Sequence, residues 1–249
     1  MKLLFLDIET APHKVFSWGL FEQDIHIDQI VEPGYTLCWA AKWRGQRQVL
    51  FDSVHQSKPR DMVKRIHALI DEADAVCQYN GDKFDLPTLN KEFLLQGLSP
   101  PSPSKQIDLL RTARGQFRLA SNKLDYVAQV LGLGAKVKHK GMTLWRDCMD
   151  GKPEAWRVME RYNKQDVVLL ERVYDRLLPW VKGHPNMALF VDAKAPACPN
   201  CGGKVQARGW AFTATNKYPR YQCRSCGKWS RGRSTELSKE RKSSVLVAA

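Results

Sequence analysis

The sequence predicts a mixed α/β body followed by a small cysteine-rich domain, and three observations predict it. The opening run KLLFLDIE (residues 2–9) is apolar on both faces, helix-like and strand-like runs alternate after it, and four of the seven cysteines crowd together near the end. With 249 residues and 43% apolar content, the chain can build a sizeable core. Lys and Arg number 39 against 26 Asp and Glu, and the resulting +13 favours a polyanionic partner, nucleic acid first. Residues 191–249 hold 12 Lys/Arg against 3 Asp/Glu, so +9 of the +13 lies in the last quarter.

Along the chain, residues 2–9 read as a central strand, with Leu4, Leu6 and Ile8 on one side and Leu3 and Phe5 leading to Asp7 and Glu9 on the other. A loop is expected over 11–33. Two strands, YTLCWAAKW and QVLFDSV, then flank a hairpin turn at Gly45 and Gln46, which makes the start antiparallel. In KPRDMVKRIHALIDEAD, Met62, Val63, Ile66, Leu69 and Ile70 fall at helical spacing, and a short strand, AVCQYNG, follows. Asp85 and Pro87 suit the first turn of a helix that runs to about Gln96. GLSPPSPSK reads as a surface loop, because the strand-like QIDLL resumes after it.

A further helix, SNKLDYVAQVLGLG, has Gly132 as its expected C-terminal cap. The longest helix is expected from about Pro153 to Val181. Its stripe comprises Val158, Met159, Tyr162, Asp166, Leu169, Leu170, Val173 and Leu177, on which Asp166 is the only charge. Composition changes near residue 192, so the expected division is a body over 1–191, a cysteine domain over 192–231 and a basic flexible tail over 232–249.

The apolar run after Lys2 is cut at Asp7 and Glu9, shorter than the roughly 7–15 residues of a secretory leader. No stretch approaches the ~18 apolar residues of a membrane span. A cytoplasmic location with no membrane partner is therefore expected. The odd cysteine count argues against a disulfide scaffold, and Cys38, Cys77 and Cys148 read as small core residues.

Asp7 and Glu9, two apart on a strand, project from one face, where like charges repel. Asp85 sits at a strand-to-helix turn and reads by itself equally well as a helix cap. Asp166 interrupts an apolar stripe and so requires a partner. Tyr162, four residues earlier, shares that helical face, with a plain core tyrosine as the alternative. Carboxylates facing one space need hard cations, and Mg²⁺ or Mn²⁺ with oxygen ligands suit them. A pair of such ions would serve an in-line displacement at a phosphodiester.

Taken in order, LDIET, YNGDKFD and YNKQD match the three motifs of the DEDD exonucleases of ribonuclease-H-like fold. The chain resembles their tyrosine subgroup (DEDDy), since the histidine subgroup would place His at position 161, which is Arg. The resemblance covers about residues 1–185 and points to stand-alone exonucleases of bacteria and phages, related to polymerase proofreading domains. It implies a mixed sheet flanked by helices and 3′→5′ hydrolysis, in the cytoplasm of a bacterium or of a phage-infected host. It also implies two Mg²⁺ (or Mn²⁺) held by Asp7, Glu9, Asp85 and Asp166, with Asp7 bridging and Tyr162 positioning the water. Asn80 and Phe84 would contact the terminal nucleotide, Phe84 reading equally as core. His139, in a basic loop, is a further candidate for phosphate contact.

Cys198-x₂-Cys201 and Cys223-x₂-Cys226 present four thiolates in two knuckles, which match one tetrahedral structural Zn²⁺. This segment resembles a zinc ribbon of DNA-handling proteins. Around the knuckles Trp210, Phe212, Tyr218, Tyr221 and Trp229 interleave with Lys217, Arg220, Arg224, Lys228, Arg231 and Arg233. Aromatics for stacking and cations for phosphate are what single strands require. Docking onto a partner protein is the other reading. The expected function is thus metal-dependent 3′→5′ exonuclease action on DNA, single-stranded ends preferred, with a separate polymerase or replication protein as a candidate partner. An exoribonuclease and a non-catalytic nucleic-acid-binding scaffold are the alternatives.

Overall fold

The computed structural model describes residues 1–192 and 194–247. The chain divides into two compact units, Lys2–Asp175 and Arg176–Ala249, the second also taking Met1. The strands of the first unit are β1 (Leu3–Thr10), β2 (Lys14–Val15), β3 (Ile30–Glu32), β4 (Thr36–Trp43), β5 (Leu50–Ser53), β6 (Ala75–Gln78) and β7 (Lys105–Asp108). Its helices are α1 (Pro59–Glu72), α2 (Asp85–Leu95), α3 (Leu109–Gln116), α4 (Leu124–Val130), α5 (Met142–Met149) and α6, which starts at Pro153 and ends at Leu177.

Five strands form one mixed sheet in the order β5-β4-β1-β6-β7. The β1–β4 and β4–β5 pairs are antiparallel, while β1–β6 and β6–β7 are parallel. β1 lies at the centre, which explains why both of its faces are apolar. Leu4, Leu6 and Ile8 pack on one side with Trp39, with Met62, Val63, Ile66 and Ile70 of α1, and with Leu89 and Phe93 of α2. The opposite face meets α6: Phe5 stands edge-on to Tyr174 at 5.3 Å between ring centres. Asp7 and Glu9 belong to that second face by the period-two alternation of a strand, so β1 carries its carboxylates to the helix that holds Asp166.

Cys38, Cys77 and Cys148 are buried core residues, as expected. Gly132 ends α4 at φ 68°, with its N–H donated to the Gln129 carbonyl and Leu133 N–H to that of Ala128. Among the departures from the sequence expectation are the following. The 11–33 loop contains the short antiparallel ladder of β2 with β3. QIDLL is a strand only to Asp108, whose side chain then caps α3 by accepting from Leu110 N and Arg111 N. α6 stops at Leu177, and Leu178–Trp180 tightens into a 3₁₀ turn, because Pro179 has no N–H to continue the α-helical ladder.

In the second unit, β8 (Val205–Phe212), β9 (Lys217–Cys223) and β10 (Trp229–Arg231) form an antiparallel sheet in the order β10-β9-β8, and the short helix α7 spans Lys239–Ser243. Buried Asn200 donates Nδ2 to the Leu178 carbonyl at 2.7 Å, anchoring the first cysteine knuckle to the turn after α6. Beyond Arg231 there is more order than the composition implies. Gly232 N donates to Pro219 O, and Glu236 N and Thr235 Oγ1 both donate to Lys217 O. No helix of the described residues is long and apolar enough to cross a membrane.

Candidate active site

β1 and α6 bring three of the four acids together. One carboxylate oxygen from each of Asp7, Glu9 and Asp166 lies within 4.8 Å of the others. The fourth, Asp85, opens α2 and is buried; its Oδ1 accepts from Ile8 N at 3.1 Å. The parallel ladder between β1 and β6 ends at Phe5, which leaves the Ile8 N–H without a strand partner. Asp85 satisfies that donor, and the bond ties the start of α2 to the strand bearing Asp7 and Glu9. The helix-cap alternative for Asp85 is not what is seen, as Phe84 occupies the cap position with no side-chain cap bond.

The closeness of these groups is costly without cations. Burial raises Asp7 well above the usual carboxylate range, and the charges of Glu9, Asp166 and Asp85 raise it further. Burial, together with Asp166 and Asp85, pushes Glu9 up to about 8 even though Lys136 offsets part of the effect. Burial likewise pushes Asp85 up to about 7, against the lowering influence of the Ile8 N–H. Asp166 is raised by burial and partly relieved by Lys136 and the Tyr162 hydroxyl. Asp166 is only 1% exposed, and its Oδ1 has no hydrogen-bond partner. An orphaned buried carboxylate oxygen beside two further carboxylates fits a hard divalent cation such as Mg²⁺ or Mn²⁺.

These shifts set a sign for the pH dependence of metal-free protein. Acids whose folded pKa lies above the unfolded value keep protons in the folded state, so their stabilising contribution is lost as pH rises toward the folded pKa. For Glu9 and Asp85 that window runs from the ordinary carboxylate range up to about 8 and about 7. In EDTA, thermal unfolding is therefore expected at a lower temperature near pH 8 than near pH 6, and Glu9→Gln is expected to flatten the difference. A Glu9→Gln protein with an unchanged pH slope contradicts this account.

Two side chains not anticipated from the sequence complete the cluster. Asn163, fully buried on α6, donates Nδ2 to Asp7 Oδ2 at 2.7 Å and fixes that carboxylate. Its signal was legible: it precedes Asp166 by three residues, on the same helical face. Lys136, in the loop between α4 and α5, places Nζ 2.5 Å from Asp166 Oδ2 and 3.3 Å from the Tyr162 hydroxyl. Burial opposes its charge, but Asp166, Tyr162 and Asp7 hold the ammonium above its ordinary pKa. No local pattern reveals a contact made across 30 residues of sequence.

Tyr162 is buried, and burial followed by the Glu9 and Asp166 charges raises its hydroxyl, so it stays protonated. A cleft of about 880 Å³ opens beside Asp7, the one acid of the four that lines it, with Tyr162, Lys136, Asn80, Arg114 and Lys123 also in its lining. His139 also lines it, its ring 4.8 Å from Tyr162 and 5.1 Å from Trp145, with Nδ1 accepting from Gly141 N. Asn80 is held at φ 73° while its N–H donates to Asp108 Oδ1 at 3.0 Å. Phe84 is 42% exposed, which excludes the core reading.

In the second unit the sulfurs of Cys198, Cys201, Cys223 and Cys226 lie within 4.8 Å of one another. Cys198–Cys226 is 3.6 Å and Cys201–Cys223 is 3.5 Å. Tetrahedral Zn²⁺ with Zn–S of about 2.3 Å calls for sulfurs about 3.8 Å apart, so the group fits. Gly202 and Gly227 adopt φ 72° and 80°, the left-handed turn each knuckle needs. Burial opposes the Cys223 thiolate, yet the N–H groups of Cys226 and Ser225 and the neighbouring thiols bring it down to about 7.

The basic and aromatic candidates of this unit divide between two sheet faces. Strand register puts Tyr218, Arg220, Trp229 and Arg231 on one face, with Arg231 4.1 Å from the Tyr218 ring and Arg220 5.0 Å from the Trp229 ring. Lys217 is on the other face, 4.0 Å from the Trp210 ring. Lys228 donates Nζ to Val181 O at 3.2 Å, and Arg224 is exposed in the second knuckle.

Comparison with known proteins adds the relationship. A search of curated proteins returns no match. Among solved structures, the chain is similar to the family B DNA polymerase from the hyperthermophilic archaeon Pyrobaculum calidifontis, at 18% identity and a TM-score of 0.52. That likeness covers 72% of this chain and 24% of the polymerase, so the chain spans about a quarter of that protein and the likeness is one of fold. A family model described as RNase_H superfamily matches residues 4–178. That match takes in all four acids and all of the mixed sheet except Leu3 at the start of β1, and the chain belongs to the RNase_H superfamily.

Proposed function

We propose that the chain is a metal-dependent 3′→5′ exonuclease that removes nucleotides from single-stranded DNA ends. The observation that carries this reading is the convergence of Asp7, Glu9 and Asp166 within 4.8 Å, with one oxygen of Asp166 buried and unpartnered. Asp7, Glu9, Asp85 and Asp166 would hold two Mg²⁺ or Mn²⁺, which when bound stabilise charge on the phosphate and acidify water. Asn163 keeps Asp7 in its ligating orientation. Tyr162, protonated at neutral pH, orients the attacking water through its hydroxyl rather than taking its proton. Arg114 and Lys123 line the cleft where the backbone phosphates of the strand would run, and Asn80 and Phe84 would meet the terminal nucleotide.

The functional division we propose is the nuclease over 1–191, a four-cysteine zinc ribbon over 192–231 and a basic extension over 232–249. Lys217, Arg220, Arg224, Lys228, Trp229 and Arg231 would help the ribbon retain the strand, in the cytoplasm and beside a polymerase or another replication protein. A 5′-labelled single-stranded DNA incubated with Mg²⁺, with Mn²⁺ and with EDTA tests the activity, with a matched RNA as a second arm. A descending ladder that needs either metal and is faster on DNA supports the reading. Intact 5′-labelled DNA under all three conditions overturns it.

A further inference from the structure

Lys136 is built into the acid cluster more firmly than a surface lysine would be. Its backbone N–H donates to Asp125 Oδ1 at 2.7 Å, and Asp125 Oδ2 takes Gln129 Nε2 at 2.6 Å, so α4 grips the loop. Three residues earlier, the Leu133 carbonyl accepts from Arg172 Nη1 of α6 at 3.0 Å. The loop is thus pinned to α4 and α6, while the Lys136 side chain remains 30% exposed and directed at Asp166, whose side chain is 1% exposed. Lys136 Nζ donates to Asp166 Oδ2, the partner oxygen of the orphaned Oδ1.

An ammonium and a divalent ion that share one carboxylate repel each other, and a half-buried site screens that repulsion less than water does. Four carboxylates offset in full by two divalent ions would leave no charge to meet a phosphodiester; the ammonium supplies the remaining positive charge. We propose that Lys136 is a positioning residue that holds Asp166 before metal loads, competes with the divalent ions for it, and balances the substrate phosphate once they are bound. This rests on the nuclease reading above.

The test uses full-length protein cleared of Mg²⁺ and Mn²⁺ by EDTA and reloaded with one Zn²⁺ per chain, with Mn²⁺ binding followed by calorimetry for wild type, Lys136→Met and Lys136→Arg. Lys136→Met is expected to unfold at a lower temperature without metal, to bind Mn²⁺ about tenfold more tightly, and to cleave more slowly with a raised KM for DNA. Lys136→Arg, which keeps the charge, is expected to bind Mn²⁺ as wild type does. A residue that merely supports the fold would weaken metal binding along with stability. Unchanged or weaker Mn²⁺ binding by folded Lys136→Met overturns the proposal.

Should Lys136→Met not fold without metal, ¹⁵N-lysine NMR of the wild type decides, with the Lys136 signal assigned from its absence in Lys136→Arg. A shift of that signal on Mg²⁺ addition supports displacement, and no shift overturns it. Wild-type protein that binds neither ion sinks the nuclease reading itself. Wild-type binding matched by Lys136→Met sinks only the role of Lys136.

Discussion

Asp7→Asn is expected to reduce DNA hydrolysis by about 10⁴-fold, which corresponds to roughly 5 kcal/mol of lost transition-state stabilisation, while leaving the protein folded. The substitution keeps the shape of the side chain and an oxygen for Asn163 Nδ2, so the contact between β1 and α6 survives. What it removes is the charge. Burial and three neighbouring acids already penalise that charge in metal-free protein, so the unfolding temperature in EDTA should be unchanged or higher. Asp166→Ala is expected to be equally inactive, and Tyr162→Phe should keep a measurable remainder, because orientation of water contributes less than the ligands do. Labelled-oligonucleotide cleavage and a thermal melt on the same preparations check all three. Loss of activity accompanied by loss of fold in Asp7→Asn would leave the catalytic assignment unsupported.

The second large effect concerns the four thiols. Cys223→Ser is expected to abolish binding of one zinc per chain and to unfold the sheet of β8, β9 and β10, since structural zinc contributes roughly 10–16 kcal/mol to such small domains. Little else holds that sheet: among the described residues of its three strands only Cys223 is buried, and Trp210, Phe212 and Trp229 are exposed. Zinc content by mass spectrometry and hydrogen exchange at 205–231 report the loss. Affinity for single-stranded DNA should fall, with a smaller dependence on salt, because the Arg220 and Arg231 face is dispersed. Retention of zinc by Cys223→Ser, or absence of zinc from the wild type, contradicts the ribbon.

What was legible in the sequence was whatever one segment states alone. The two-sided apolar run of β1 announces a central strand, the stripe of α6 announces a buried helix, and a carboxylate on each is conspicuous against that background. Asp85 was visible at its strand-to-helix turn, but its local environment also fits a cap. Only the end of the β1–β6 ladder at Phe5 shows that its partner is Ile8 N–H. Lys136 was illegible for a similar reason: it is one lysine in the basic loop AKVKHKG, and its contact with Asp166 depends on how the loop after α4 is tied to α6. The cap at Asp108 was legible and missed, because a strand pattern and a helix start overlap within QIDLL. In the ribbon, alternating cations and aromatics could be read, but their division between two faces required the strand register, which is displaced between Ala207 and Trp210.

The most direct test is a crystal of the protein soaked in Mn²⁺ and measured at a wavelength where manganese scatters anomalously. Peaks between β1 and the middle of α6, at bonding distance from Asp7, Glu9 and Asp166, are the predicted result. Crystals whose acids stay unliganded at millimolar Mn²⁺, or whose only manganese lies away from those three side chains, would contradict it.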